Sequence, residues 1–176
     1  MKLTRASLTL FFICLSFSVP AAEARGAGPF ELVSSAFVNK GDIPAQYTCN
    51  GGNSNPPLEF KNIPPKTKSL SLSIEDLDAP EGVWVHWVVY NIPPNKNSIT
   101  ANSIPGYEAL NDFGKYHYVG PCPLDEKQHR YVIRAYALNE ILPEDDGIIL
   151  KDLEKAVQGH IIAKFELIGN YRKPVW

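Results

Sequence analysis

The sequence predicts a mainly β domain with one short helix near its C-terminal end, and three observations lead there. One segment repeats apolar residues at every second position, and three others are dense in β-branched and aromatic side chains. Fifteen prolines and 12 glycines punctuate the 176 residues, and proline interrupts a helix by removing a donor and clashing with the preceding turn. One late stretch carries apolar residues at helical spacing between a capping residue and a stopping glycine.

The N-terminal segment, residues 1–24, reads as a secretory signal to be removed. Lys2 and Arg5 give a positive start, the uncharged run Ala6 to Val19 follows, Pro20 breaks it, and Ala22-Glu23-Ala24 offers a small-x-small cleavage pattern. The run falls short of the roughly 20 apolar residues that span a bilayer, so no integral membrane span is expected after cleavage. Cys14 follows Phe12-Ile13 and lacks the small residue that precedes a lipid-modified cysteine. A periplasmic or secreted location follows, with residues 25–176 forming a single β domain. With 17 basic and 19 acidic residues, the net charge of −2 gives no general drive toward nucleic acid. Hydrophobic residues at 44% and charged ones at 20% exclude a disordered tail and a membrane bundle.

The first strong strand is Ser69–Glu75, where Leu70, Leu72 and Ile74 alternate with serines, the period of a sheet with one buried face. Val83–Tyr90 is dense enough in Val, Trp and Tyr to predict a central strand covered on both sides. Tyr131–Leu138 and Ile161–Ile168 are the third and fourth. Pro- and Gly-rich turns separate them, among them Asn50-Gly51-Gly52-Asn53, Asn55-Pro56-Pro57 and Gly120-Pro121-Cys122-Pro123. In the helix, Asp152 caps or opens it, Leu153, Ala156 and Val157 give its apolar face, and Gly159 stops it.

Polar residues gather at the ends of these strands. Asp76 and Asp78 follow the first strand, His86 interrupts the second, and His129-Arg130-Tyr131 opens the third after the Gly120–Pro123 loop. Several chemistries use such groups. A metal site has no His-x-x-x-His or His-Glu-x-x-His spacing to support it, and Pro80 and Glu81 spoil a calcium loop. No Gly-x-Ser-x-Gly elbow is present, and two carboxylates on one extended segment are weak evidence for glycosidase chemistry. No metal or cofactor is expected. A small-anion pocket fits better: a histidine beside an aspartate keeps its proton more readily and donates a charge-assisted hydrogen bond. A tyrosine hydroxyl and a glycine-loop N–H would complete the donors. Arg130, next to a histidine on a strand, should point to the opposite face and form a structural ion pair.

These segments, in this order, resemble the phosphatidylethanolamine-binding protein family, also called the Raf kinase inhibitor protein family, and most closely its bacterial branch. The family's Asp-Pro-Asp-Ala-Pro stands here as Asp76-Leu77-Asp78-Ala79-Pro80, and its His-Trp-Val-x-x-Asn-Ile-Pro as His86 to Pro93. Its Gly-Pro-x-Pro loop and downstream His-Arg-Tyr stand as Gly120–Pro123 and His129–Tyr131. The bacterial Asn-Asp-Phe-Gly and Tyr-Thr-Cys stand as Asn111–Gly114 and Tyr47–Cys49. The resemblance implies a large central sheet packed with a smaller one, a C-terminal helix, and an anion pocket for a phosphoryl group such as that of phosphatidylethanolamine. Carried over by motif, Asp76, Asp78, His86, Gly120, Pro121, His129 and Tyr131 line it, with Trp84 a candidate wall. Leu77 in place of proline, Asn55 in place of serine, and Leu124–Gln128 in place of a Pro-x-Gly loop are departures that bear on the pocket's rim.

The leading expectation is an exported, non-enzymatic binding module for a small anionic ligand or phospholipid head group. The alternatives are a surface-acting inhibitor of a protease or envelope protein and a hydrolase using Asp76, His86 and His129. A homodimer stays open as a further partnership. Of the three cysteines, Cys14 would leave with the signal, so Cys49 and Cys122 should pair in an oxidising compartment.

Overall fold

Strand β4 (Ser69–Asp76) lies in the middle of the large sheet, buried along its whole length. The computed structural model describes residues 28–174; the signal reading of residues 1–24, with Cys14, lies outside them. Antiparallel neighbours flank β4 on both sides, β5 (Trp84–Ile92) and β8 (His129–Leu138). Outside β8 runs β9 (Ile161–Tyr171), with the short β2 (Gly41–Asp42) parallel to its end, and β7 (Tyr107–Glu108) closes the other edge. The order of this six-stranded sheet is β2-β9-β8-β4-β5-β7. A second sheet of three strands, β1 (Glu31–Ser34), β3 (Leu58–Lys61) and β6 (Ser98–Ile99), stands against it. Among the described residues the fold is mainly β, two sheets and one short α-helix, as the sequence predicts.

The inter-sheet core takes Leu32, Leu58, Phe60 and Ile99 from the small sheet and Leu70, Leu72, Ile74, Trp87 and Ile133 from the large one. The alternation of β4 suggested one covered face, but the structure covers both. Helix α1 (Leu150–Val157) lies over the serine face, where Leu153 and Val157 join Val88, Tyr90 and Leu142 in a second cluster. Ser71 is buried there, and its hydroxyl has no hydrogen-bond partner. Asp152 falls in the first turn of α1 without capping it, and Gly159 follows the helix at φ 81°, the left-handed conformation glycine adopts freely.

The antiparallel register brings three strand ends together. Asp76, the last residue of β4, pairs with Trp84 at the start of β5 and with Tyr131 near the start of β8. One end of the large sheet therefore concentrates the polar residues that the sequence scatters over more than 50 positions.

Candidate functional site

At that end lies a cavity of about 330 Å³. Asp76, His86 and His129 form its polar floor, Pro80, Trp84, Phe113 and Leu124 its apolar walls, and Glu81 adds a carboxylate. Among the described residues, no group of three or more His, Cys, Asp or Glu side chains is arranged to hold a metal ion.

His86 reaches the cavity because β5 carries a bulge. Ile74 pairs with Trp87 and Glu75 with Val85, which leaves His86 as the extra residue. A bulge of this kind re-aims the side chains on its far side. Val85 accordingly joins Val88 and Tyr90 in the helix-side cluster, whereas Trp87 packs in the inter-sheet core. His86 faces the cavity, edge-on to Tyr131 and Phe113 with centroids 5.3 and 5.2 Å away. Its Nδ1–H donates to the Val119 carbonyl at 2.7 Å, leaving Nε2 as the uncommitted nitrogen. Burial lowers its pKa below the ordinary histidine value, with the Val119 carbonyl and the Asp76 charge opposing in part. The ring is thus a neutral acceptor on the cavity floor.

His129 is held differently. Its Nδ1 meets Asp76 Oδ2 at 2.8 Å and its Nε2 meets Asp125 Oδ1 at 2.9 Å. Burial works against the imidazolium, but the hydrogen bonds and charges of Asp76 and Asp125 outweigh it and raise the pKa. The expectation of a protonated histidine beside an aspartate therefore applies to His129, with a difference: both N–H groups are already given to carboxylates. Between the imidazoles lies Tyr131, fully buried, its hydroxyl without a hydrogen-bond partner. Burial and then the Asp76 charge raise its pKa, so the phenol stays protonated.

The remaining candidates separate from this group. Asp78 does not line the cavity. Its amide donates to Asp76 Oδ1 at 2.9 Å, and that turn sends the Asp78 carboxylate to Arg130, which binds it through Nε at 2.8 Å and Nη2 at 2.6 Å. Arg130 holds the Asp78 carboxyl at about 2, well below the carboxylate range. The extended geometry that would have placed both acids on one side is absent. Leu77, where the family motif has proline, donates its N–H to the Arg130 carbonyl at 3.0 Å, a bond proline could not make. Gly120 and Pro121 lie behind the wall rather than on it. The Gly120 N–H is given to Asn53 Oδ1 at 2.7 Å, and the Pro121 carbonyl accepts from Cys49. A Cβ at Gly120 would come within 2.5 Å of the Tyr47 carbonyl, so glycine is required there by packing. Trp84 is a wall, edge-on to Phe113 at 5.7 Å. Asn55 braces the base of a loop, bonded to Thr100 and Ser103.

Sequence reasoning gave no site role to Phe113 or Glu81, and it marked Leu124 and Asp125 only as part of a segment bearing on the rim. Phe113 had a signal: it sits within the Asn111–Gly114 motif. The Asn111 amide donates to the His86 and His117 carbonyls and accepts from Phe113 and Lys115, which folds that loop against His86. Asp125 lies in a segment that departs from the motif pattern, where position carries no guidance.

The cysteines pair: Cys49 and Cys122 form a disulfide, fastening the wall segment that begins at Cys122 to the turn after Ala45–Tyr47.

A family model described as phosphatidylethanolamine-binding protein matches residues 33–172. A UPF0098 protein of Chlamydia muridarum is 41% identical over 149 residues, covering 81% of this chain and 99% of its own length. One from Methanothermobacter thermautotrophicus is 41% identical over 152 residues, covering 81% and 98%. Two solved structures share the architecture. A phosphatidylethanolamine-binding protein homologue from Chlamydia trachomatis superposes with a TM-score of 0.80 at 39% identity, covering 83% of this chain and 99% of that one. Escherichia coli YbcL, described as a member of the mammalian family, gives 0.76 at 26% identity, covering 82% and 99%.

Proposed function

Because the chain belongs to the phosphatidylethanolamine-binding protein family, we propose that its cavity binds a small phosphorylated or otherwise anionic group, such as a phospholipid head group, without turning it over. The observation that carries this reading is the His86 ring: buried, neutral, its Nδ1 spent on Val119 and its Nε2 uncommitted on the cavity floor. A monoprotonated phosphate donates its O–H to that nitrogen. A phosphoryl group without a proton, a phosphodiester included, raises the ring's proton affinity and binds with proton uptake. Binding then strengthens as pH falls.

The walls argue for a ligand with more than a phosphate. Pro80, Trp84, Phe113 and Leu124 suit an apolar portion, and Glu81 beside Trp84 suits an ammonium through charge and cation–π attraction. Binding is favoured over hydrolysis by the lining itself. It holds no serine or threonine, and its cysteine, Cys122, is in the disulfide. Asp76 is committed to His129 and the Asp78 amide. Export, read from residues 1–24, would place this site in the periplasm or outside the cell; no helix among the described residues is long and apolar enough to cross a membrane.

Calorimetry with inorganic phosphate, phosphoethanolamine and a short-chain phosphatidylethanolamine tests the reading. Binding is expected for all three, tightest for the lipid. His86→Ala should weaken each by about tenfold or more, the loss of one hydrogen bond to a charged group. No heat from any ligand, or unchanged affinity in His86→Ala, rejects it.

A further inference from the structure

We propose that Asp125 is a specificity-determining residue: its carboxylate occupies the one nitrogen of His129 through which that imidazolium could hold a bound anion, so an anionic ligand reaches His129 only by displacing it. The inference rests on reading the cavity as an anion site.

His129 is buried and lies on the cavity floor. Its Nδ1 is committed to Asp76, itself buried at the end of β4, and neither partner can leave without stranding a charge. The Nε2 side is different. Asp125 is about a third exposed, on a segment between Cys122 and His129 that has neither helix nor strand. The carboxylate is also set in place beforehand. The same oxygen that meets Nε2 accepts the Lys127 N–H at 3.0 Å, and Lys127 Nζ lies 3.9 Å from the other.

The segment is itself part of the cavity, since Pro123 and Leu124 form wall next to His129. An oxygen of a phosphate seated over His86 would need a donor on the His129 side. The chain's own carboxylate takes that donor first, and its charge opposes a second anion nearby. With Asp125 in place, a ligand anion has the acceptor nitrogen of His86 and no donor from His129. With Asp125 turned outward, Nε2–H becomes a charge-assisted donor and the negative charge next to His129 moves away. Asp125 therefore sets a threshold that weakly held anions fail to cross.

The test compares wild-type protein with Asp125→Ala, Asp125→Asn and His86→Ala by calorimetry with inorganic phosphate and phosphoethanolamine. Imidazole ¹⁵N shifts of His129 are followed through each titration. Asp125→Ala is expected to bind phosphate about tenfold more tightly than wild type, the worth of one charge-assisted hydrogen bond, with Nε2 of His129 moving on phosphate addition. Asp125→Asn, which keeps shape and an acceptor oxygen but not the charge, should fall between. Equal or weaker phosphate binding by Asp125→Ala, with His86→Ala weaker than both, overturns the role of Asp125 and leaves the cavity reading standing. No binding of either probe by any of the four proteins overturns both.

Discussion

His86 and His129 share a cavity floor and hold their protons in opposite senses, because burial outweighs the Val119 carbonyl at the first and two carboxylates outweigh burial at the second. The consequence for stability follows from linkage. The His129 pKa is raised on folding, so its stabilising contribution is complete below about pH 6.5, the unfolded value, and is lost as pH rises through the folded one. The His86 pKa is lowered. The unfolded chain takes up that proton first, so His86 costs stability as pH falls from about 6.5 toward its folded value. Imidazole NMR of the ligand-free protein should show the two rings titrating on opposite sides of that value, His129 above and His86 below. The reverse order would mean that burial and carboxylate pairing are wrongly assigned. Motif position alone could not have separated these rings, nor separated Asp76 from Asp78. Each of those acids has its partner in β8, four strands later in the chain, and only the Arg130 fork shows which one turns aside.

At the scale of elements, the period of β4 was legible and its cover was not. Alternation states which face is more apolar. It is silent on whether a helix some 80 residues later in the chain lies on the other. The four strong strands were readable because each is dense in residues that suit a pleated, buried surface, and the one helix because Gly159 and the Leu153–Val157 spacing mark it. The His86 bulge was illegible, since a bulge is a mismatch between two strands and exists in neither alone. The arrangement separates support from function. Leu153 is buried against the face of the sheet away from the inter-sheet core, and it does not line the cavity. Leu153→Ala should cost about 2–5 kcal/mol by urea denaturation, the range for a buried leucine. Phosphate affinity of the remaining folded protein should be unchanged. A matching loss of affinity would show that the two faces of the sheet are coupled.

Across the whole molecule, the ends of the cavity wall are fixed unequally. At its C-terminal end the wall runs into β8, the strand paired to both β4 and β9 along its length. At its N-terminal end it depends on Cys122, whose partner Cys49 sits in the turn region where Tyr47 receives the Tyr118 hydroxyl and Asn53 receives the Gly120 N–H. Free-thiol titration of the unfolded protein without reductant should find no reactive thiol from this pair. The disulfide joins residues 73 apart, and closing a loop of that length contributes up to about 4 kcal/mol on the chain-entropy account. The double variant Cys49→Ser/Cys122→Ser should therefore unfold at lower urea, and it should also do what Leu153→Ala does not. With one anchor gone, the segment carrying Pro123, Leu124 and Asp125 samples more conformations, and a ligand must order it on binding. Phosphoethanolamine affinity should fall along with stability, and amide exchange from Leu124 to Gln128 should quicken while that of β4 stays slow under native conditions. A variant that loses stability but keeps its affinity and its loop protection would show that β8 and the Asn53–Gly120 bond hold the wall without the disulfide.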